Sequence, residues 1–140
     1  MGLDVYLEYE GKQLTWDHAV MESFPFTVVD ETYGADEYHG EVTYKRIVEI
    51  TGMYCEGLVS FRGRSYSHTA EEIGLPYSFY DSLSEVELSE QTQALGIFLD
   101  ACSDLSDDYR FSHYHLIHLR NLYKLLMWSV RHGLSTFASS

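Results

Sequence analysis

The stretch FSHYHLIHLR, residues 111–120, sets His113, His115 and His118 within six positions. Closely spaced imidazoles suit metal ligation or acid–base work near neutral pH. The segment reads as the start of a helix over 112–132, ended by Gly133, with Arg131 and His132 at the negative end of its dipole. At about 100° per residue, His113, Arg120, Lys124 and Arg131 share a wet band about 40° wide. His115 falls opposite, among Leu119, Leu122 and Leu126, with His118 about 60° from it. His113 and His115 lie about 160° apart and cannot hold one ion. Only His115 with His118 remains as a metal pair, without an HExxH, CxxC or repeated ExxH companion. Both are read as neutral, partly buried histidines, and no cofactor is expected.

A second chemical candidate is SFRGRSYSHTAEE. A strand ending at Phe61 passes into Arg62-Gly63-Arg64, and Ser67 or Thr69 opens a short helix ended by Gly74 and Pro76. Guanidinium forks beside helix N–H groups, with Ser65, Ser67 and His68 near, would suit a small anion or nucleotide. The GxxxxGK(S/T) spacing of a phosphate loop is missing. The plain alternative is a strand-exit turn whose arginines pair with nearby acids.

The third candidate is DETYGADEYHGE, residues 30–41, which reads as a polar loop. Asp30, Glu31, Asp36 and Glu37 interleave there with Tyr33 and Tyr38. Calcium-loop order is lacking, and the mix suits docking on a protein, since tyrosine supplies contact area at small entropic cost. Twelve tyrosines occur in the 140 residues, and PYSFY, residues 76–80, clusters three aromatics, an excess that favours binding.

Charge separates along the chain. Residues 1–109 hold all 22 acids and five of the nine Lys and Arg, a balance of −17; residues 110–140 hold four bases and no acid, which gives −13 in total. Such a body repels a phosphate backbone, so direct nucleic-acid binding is not expected and a basic protein partner is. The Arg120, Lys124 and Arg131 face could dock on an acidic neighbour, a second copy included. There is no apolar run long enough for a membrane span, and the acidic start MGLDVYLEYEG is unlike an export signal. Cys55 and Cys102 read as buried free thiols, consistent with a cytoplasmic protein. The opening MGLDVYL resembles the starts of small uncharacterised bacterial and phage proteins that begin MG(L/I)DVY or MGLDMY. Over about seven residues this implies a prokaryotic or viral origin and no functional residue.

The elements that must position these groups form one α+β domain, with a small, mostly antiparallel sheet and two C-terminal helices packed on it. LDVYLEY alternates as a half-buried strand closed by Glu10–Lys12. TWDHAVMESF suits a short helix capped by Thr15, and FTVVD a strand. VTYKRIVEI and MYCEGLVSFR are expected to form a central hairpin across Thr51-Gly52, with Gly57 at a bulge. Residues 1–66 are thus mainly strands. Ser84 and Glu87 have capping-box spacing between Leu83 and Leu88, opening a helix over 84–103 along Leu88, Leu95, Phe98, Leu99 and Cys102. Residues 134–140 read as a loose tail, with Leu134 or Phe137 able to fold back on the helix.

No serine-nucleophile elbow, dinucleotide loop or recognisable cysteine site occurs. The reading is therefore an acidic cytoplasmic protein-binding module of the inhibitor or immunity type. An anion-binding enzyme or sensor at the Arg62–Arg64 turn is the alternative.

Overall fold

Alternating apolar residues in the first strand bury one face and set the centre of the fold. The computed structural model describes residues 4–36, 40–47, 49–50, 54–55, 57–102 and 113–139. Strand β1 (Asp4–Tyr9) buries Val5 and Leu7 and turns through Glu10-Gly11 into the short β2 (Lys12–Gln13). Strand β6 (Ser60–Arg62) pairs antiparallel with β1, placing Val5 opposite Phe61. The three strands lock through a closed ring of backbone hydrogen bonds. Leu7 donates to Val59 at 3.0 Å, Val59 to Leu14 at 2.9 Å, and Leu14 back to Leu7 at 2.8 Å. All three side chains are fully buried, so this polar ring is shielded from competing water.

The 134–140 tail is corrected. Residues Ser135–Ser139 form β7, antiparallel to β1 from Asp4↔Ser139 to Glu8↔Ser135. Leu134 is wholly buried. The cause is local at the start and distant at the end. Gly133, at φ 69°, closes the preceding helix with bonds from Leu134 N–H to Ser129 and from Gly133 N–H to Val130, and this reversal aims the chain at β1.

A second sheet holds β3 (Val28–Asp36), β4 (Gly40–Ile47) and β5 (Tyr54–Cys55), all antiparallel. The polar loop expected over 30–41 is thus largely a hairpin, with a register shift between Tyr33 and Ala35. Its polar residues are compatible with strands because an antiparallel pair can keep one face in water. The central hairpin is present as the antiparallel β4–β5 pair, and its register is corrected. A two-residue turn at Thr51-Gly52 would set Arg46 opposite Gly57, yet Arg46 faces Tyr54, one of two pairs among the described residues. Beyond Gly57 the chain leaves this sheet, and β6 joins β1. Thr51 and Gly52 lie outside the described residues. The short helix expected after Thr15 is a 3-10 turn over Ala19–Ser23, capped by His18, whose Nδ1 accepts from the Val20 N–H.

The described residues form three α-helices, which share one buried core with the strands. Helix α1 (Arg64–Glu72) starts earlier than Ser67 or Thr69 implied and ends at Gly74. Helix α2 (Glu85–Ala101) opens with both halves of the capping box between Ser84 and Glu87. Helix α3 (His113–Arg131) buries Leu116, Leu119, Leu122, Leu125 and Leu126 and leaves Arg120, Lys124 and Arg131 exposed. The wet band also carries Ile117 and Met127, which the helical wheel of charges did not reveal. None of the described helices is long and apolar enough to cross a membrane.

Where α2 meets α3, Gly96 admits the Tyr123 ring. A Cβ at Gly96 would stand 2.9 Å from that ring, closer than carbon atoms pack. Replacing a helical glycine with alanine ordinarily gains about 1 kcal/mol. Gly96→Ala is expected to lose that gain and destabilise, while the same change beside Tyr123→Leu recovers it. A double-mutant cycle by urea unfolding measures the coupling.

Candidate functional site

A hollow forms where α1 hands the chain to α2. Helix α1 ends with Leu75 N–H donating to Ala70 and Gly74 N–H to Glu71, at 3.0 and 3.2 Å. Gly74 takes a φ of 75°, which a side chain would strain. The chain emerges as Leu75-Pro76-Tyr77-Ser78-Phe79-Tyr80. Gln91, wholly buried on α2, holds that segment at both polar groups of one residue. Its Nε2 donates to the Tyr77 carbonyl at 2.8 Å, and its Oε1 accepts from the Tyr77 N–H at 3.0 Å. Phe79 turns into the core and meets Phe61 and Tyr66 edge-on at 5.9 and 6.4 Å. Ser78 tightens the turn by accepting from the Tyr80 N–H at 3.1 Å.

With the backbone clamped and Phe79 inside, Tyr77 and Tyr80 face an open hollow of about 420 Å³. Ser67, Glu71, Leu75, Pro76 and Ser78 complete its lining. That volume is in the range of small-ligand clefts. Tyr77 donates its hydroxyl to Glu90 at 3.3 Å. Partial loss of solvent, followed by the nearby carboxylates of Glu90 and Glu87, pushes the phenol above its ordinary value. Tyr77 therefore stays a neutral donor with an electron-rich ring face. Glu71 in the lining and Glu90 beside Tyr77 are both exposed acids, and Glu72, Asp81 and Glu85 on the same stretch of chain are exposed as well. From Ser65 to Tyr109 the sequence holds ten acids and neither Lys nor Arg. No basic residue of this long segment can offset the field.

The anion candidate is divided. Arg62 is exposed, with its Nε 3.9 Å from Asp4 Oδ1. Ser67 is buried and donates its hydroxyl to the Gly63 carbonyl at 2.8 Å, so its proton is committed within α1. The side chains of Arg64, Ser65 and His68 lie outside the described residues. Of the docking candidates, Asp30 is exposed, while Glu31 pairs with Arg46 across the hairpin at 3.4 Å. Glu37 and Tyr38 lie outside the described residues, as do the side chains of Tyr33 and Asp36. His118 is half-buried, and the side chain of His115 lies outside the described residues. Among the described residues no group of three or more His, Cys, Asp or Glu is placed to hold a metal ion. Cys102 is buried as a free thiol.

Sequence reasoning missed a serine–histidine approach. Ser23 Oγ stands 3.0 Å from His132 Nε2 and 3.0 Å from Trp128 Nε1, and it donates to the Val20 carbonyl at 3.1 Å. A nucleophilic serine sends its proton to the imidazole. Here the Val20 carbonyl offers that proton another acceptor, and the Trp128 Nε1–H donates to the same oxygen, so the contact is built as a structural tie. The arrangement fastens the 3-10 turn to the end of α3. It joins an aromatic run in which Phe24 lies 5.0 Å from Trp128 and 5.8 Å from Trp16. A second hollow, about 400 Å³, sits by the β1–β2 turn. Its lining carries Glu10 and Lys12 together and favours neither sign of ligand.

The tyrosine hollow could not be located from sequence, because nothing in PYSFY says which ring goes inward. Gln91 was the available signal, a polar residue in the apolar stripe of α2 and therefore in need of buried partners. No known protein family, curated protein or solved structure matches the chain.

Proposed function

We propose that this chain is an acidic protein-binding module of the inhibitor or immunity type, which docks on a basic partner and blocks it. The observation that carries the reading is the α1–α2 face. An exposed carboxylate, Glu71, lines a hollow that Tyr77 and Tyr80 share, and a second, Glu90, holds the Tyr77 hydroxyl, within a segment that contains ten acids and no Lys or Arg. Surface carboxylates of one sign raise the rate of encounter with a cationic surface, and tyrosines give the short-range contacts that slow release. The Arg62–Arg64 turn supports an anion site less well, since Arg62 lies beside Asp4 and the Ser67 hydroxyl is turned inward.

Two triple variants of equal net charge test the reading against an arginine-rich peptide. Glu71→Lys, Glu85→Lys and Glu90→Lys together reverse the proposed face. Glu10→Lys, Glu22→Lys and Asp30→Lys reverse exposed acids elsewhere. The first set is expected to slow association at low salt by about tenfold or more relative to the second, with the difference shrinking as salt rises. Equal loss in both sets would mean attraction to net charge alone and would defeat the reading.

A further inference from the structure

We infer that the hollow between α1 and the 75–80 segment is a receptor for a single arginine side chain of the partner. The assignment rests on the protein-binding reading above and gives it an anchor. The hollow offers three things that a guanidinium uses together. Tyr77 and Tyr80 both line it, and a planar cation stacks on tyrosine ring faces. The Glu71 side chain is exposed at the same lining, and its two oxygens match the guanidinium fork. Leu75 and Pro76 give an apolar wall for the methylene stem.

The site is built in advance. Gln91 fixes the backbone of Tyr77 through both its N–H and its carbonyl, and the Tyr77 hydroxyl is held by Glu90. Phe79, locked between Phe61 and Tyr66, fixes the chain between the two tyrosines. Ordering costs that would oppose binding are met during folding. An ammonium would feel the same field but can neither stack as a plane nor engage both carboxylate oxygens at once. This is the reason for choosing arginine over lysine. A phosphate or carboxylate ligand is disfavoured by Glu71 in the lining, by Glu90 beside Tyr77 and by a segment without Lys or Arg.

The test uses the full chain and three small probes: arginine blocked at both termini, citrulline blocked likewise, and blocked lysine. Citrulline keeps the shape of arginine and removes its charge. In amide NMR titrations, blocked arginine should move the signals of Glu71, Ser78 and Tyr80 and saturate in the millimolar range. Citrulline should leave them in place, and lysine should bind several-fold more weakly. Glu71→Gln and Tyr80→Ala, both at exposed positions, should each weaken the arginine response by about fivefold. The assignment fails if citrulline or lysine matches arginine, or if the shifts lie elsewhere. The arginine-rich peptide separates the two levels. If the peptide ignores the α1–α2 face, the protein-binding reading falls. If it prefers that face but binds Glu71→Gln and Tyr80→Ala as tightly as the parent, only the arginine receptor falls.

Discussion

Deleting residues 134–140 is expected to abolish cooperative folding. Strand β1 would lose its β7 neighbour along five residue pairs, Asp4↔Ser139 through Glu8↔Ser135. Leu134, with no exposed surface, would leave a hole in the core worth about 2–5 kcal/mol. The loss spreads to the entry of α2, because β7 also satisfies that segment. Thr136 N–H donates to the Leu83 carbonyl at 2.9 Å, Leu83 N–H donates to Thr136 Oγ1 at 3.0 Å, and Ala138 N–H donates to Ser82 Oγ at 3.0 Å. Leu83 is buried, and its backbone N–H and carbonyl would both lose their partner. The sum approaches the whole stability of an ordinary domain, about 5–15 kcal/mol.

Thermal unfolding followed by circular dichroism measures the effect, and two variants give it scale. Phe137→Ser, at a side chain 44% exposed, should change stability by less than about 0.5 kcal/mol. Gly133→Ala keeps the strand but strains a residue at φ 69°, and should cost about 1 kcal/mol. A deletion as mild as Phe137→Ser would mean that 134–140 is the loose tail that its composition suggests, and that the β1–β7 pairing does not hold the domain.

That contrast shows which parts of the fold can be read along the chain. The Ser84–Glu87 box, Gly74, Gly133 and the leucine face of α3 are legible because their partners stand within five residues or follow one helical period. Strand β7 is not, since STFAS is short and polar and its partner lies over a hundred residues away. The β3–β4 hairpin fails for a related reason. Asp30, Glu31 and Thr32 carry turn-like chemistry, and only pairing with β4 makes them a strand. The candidate site was half legible. The charge imbalance and the PYSFY aromatics are in the sequence, but the inward turn of Phe79 depends on Phe61 and Tyr66, and the Tyr77 backbone is set by Gln91.

Gln91→Leu should show how tightly fold and site are joined. Leucine nearly matches glutamine in volume, so the change opens little cavity and acts through hydrogen bonding. Both polar groups of Tyr77 would lose their partner inside a side-chain environment with no exposed surface at position 91. The expected cost is about 2–4 kcal/mol, since each unsatisfied buried group costs about 1–3 kcal/mol. For a chain of this length that corresponds to a fall of about 10 °C in Tm. A surface glutamine would give a change within about 0.5 kcal/mol, so the measurement is decisive. Gln91→Glu separates hydrogen bonding from packing. A carboxylate can still accept from the Tyr77 N–H, but it faces the Tyr77 carbonyl without a proton to donate, and protonation restores the donor. Its folded-state pKa is therefore raised above the unfolded value. The stability it contributes is present when protonated and lost as pH rises through that raised value, so the Glu variant should approach the parent in acid while the Leu variant does not. If both variants lose stability in parallel at every pH, packing rather than the paired hydrogen bonds holds the 75–80 segment. If instead only the arginine response declines, with Tm unchanged, Gln91 orients the tyrosines without supporting the core.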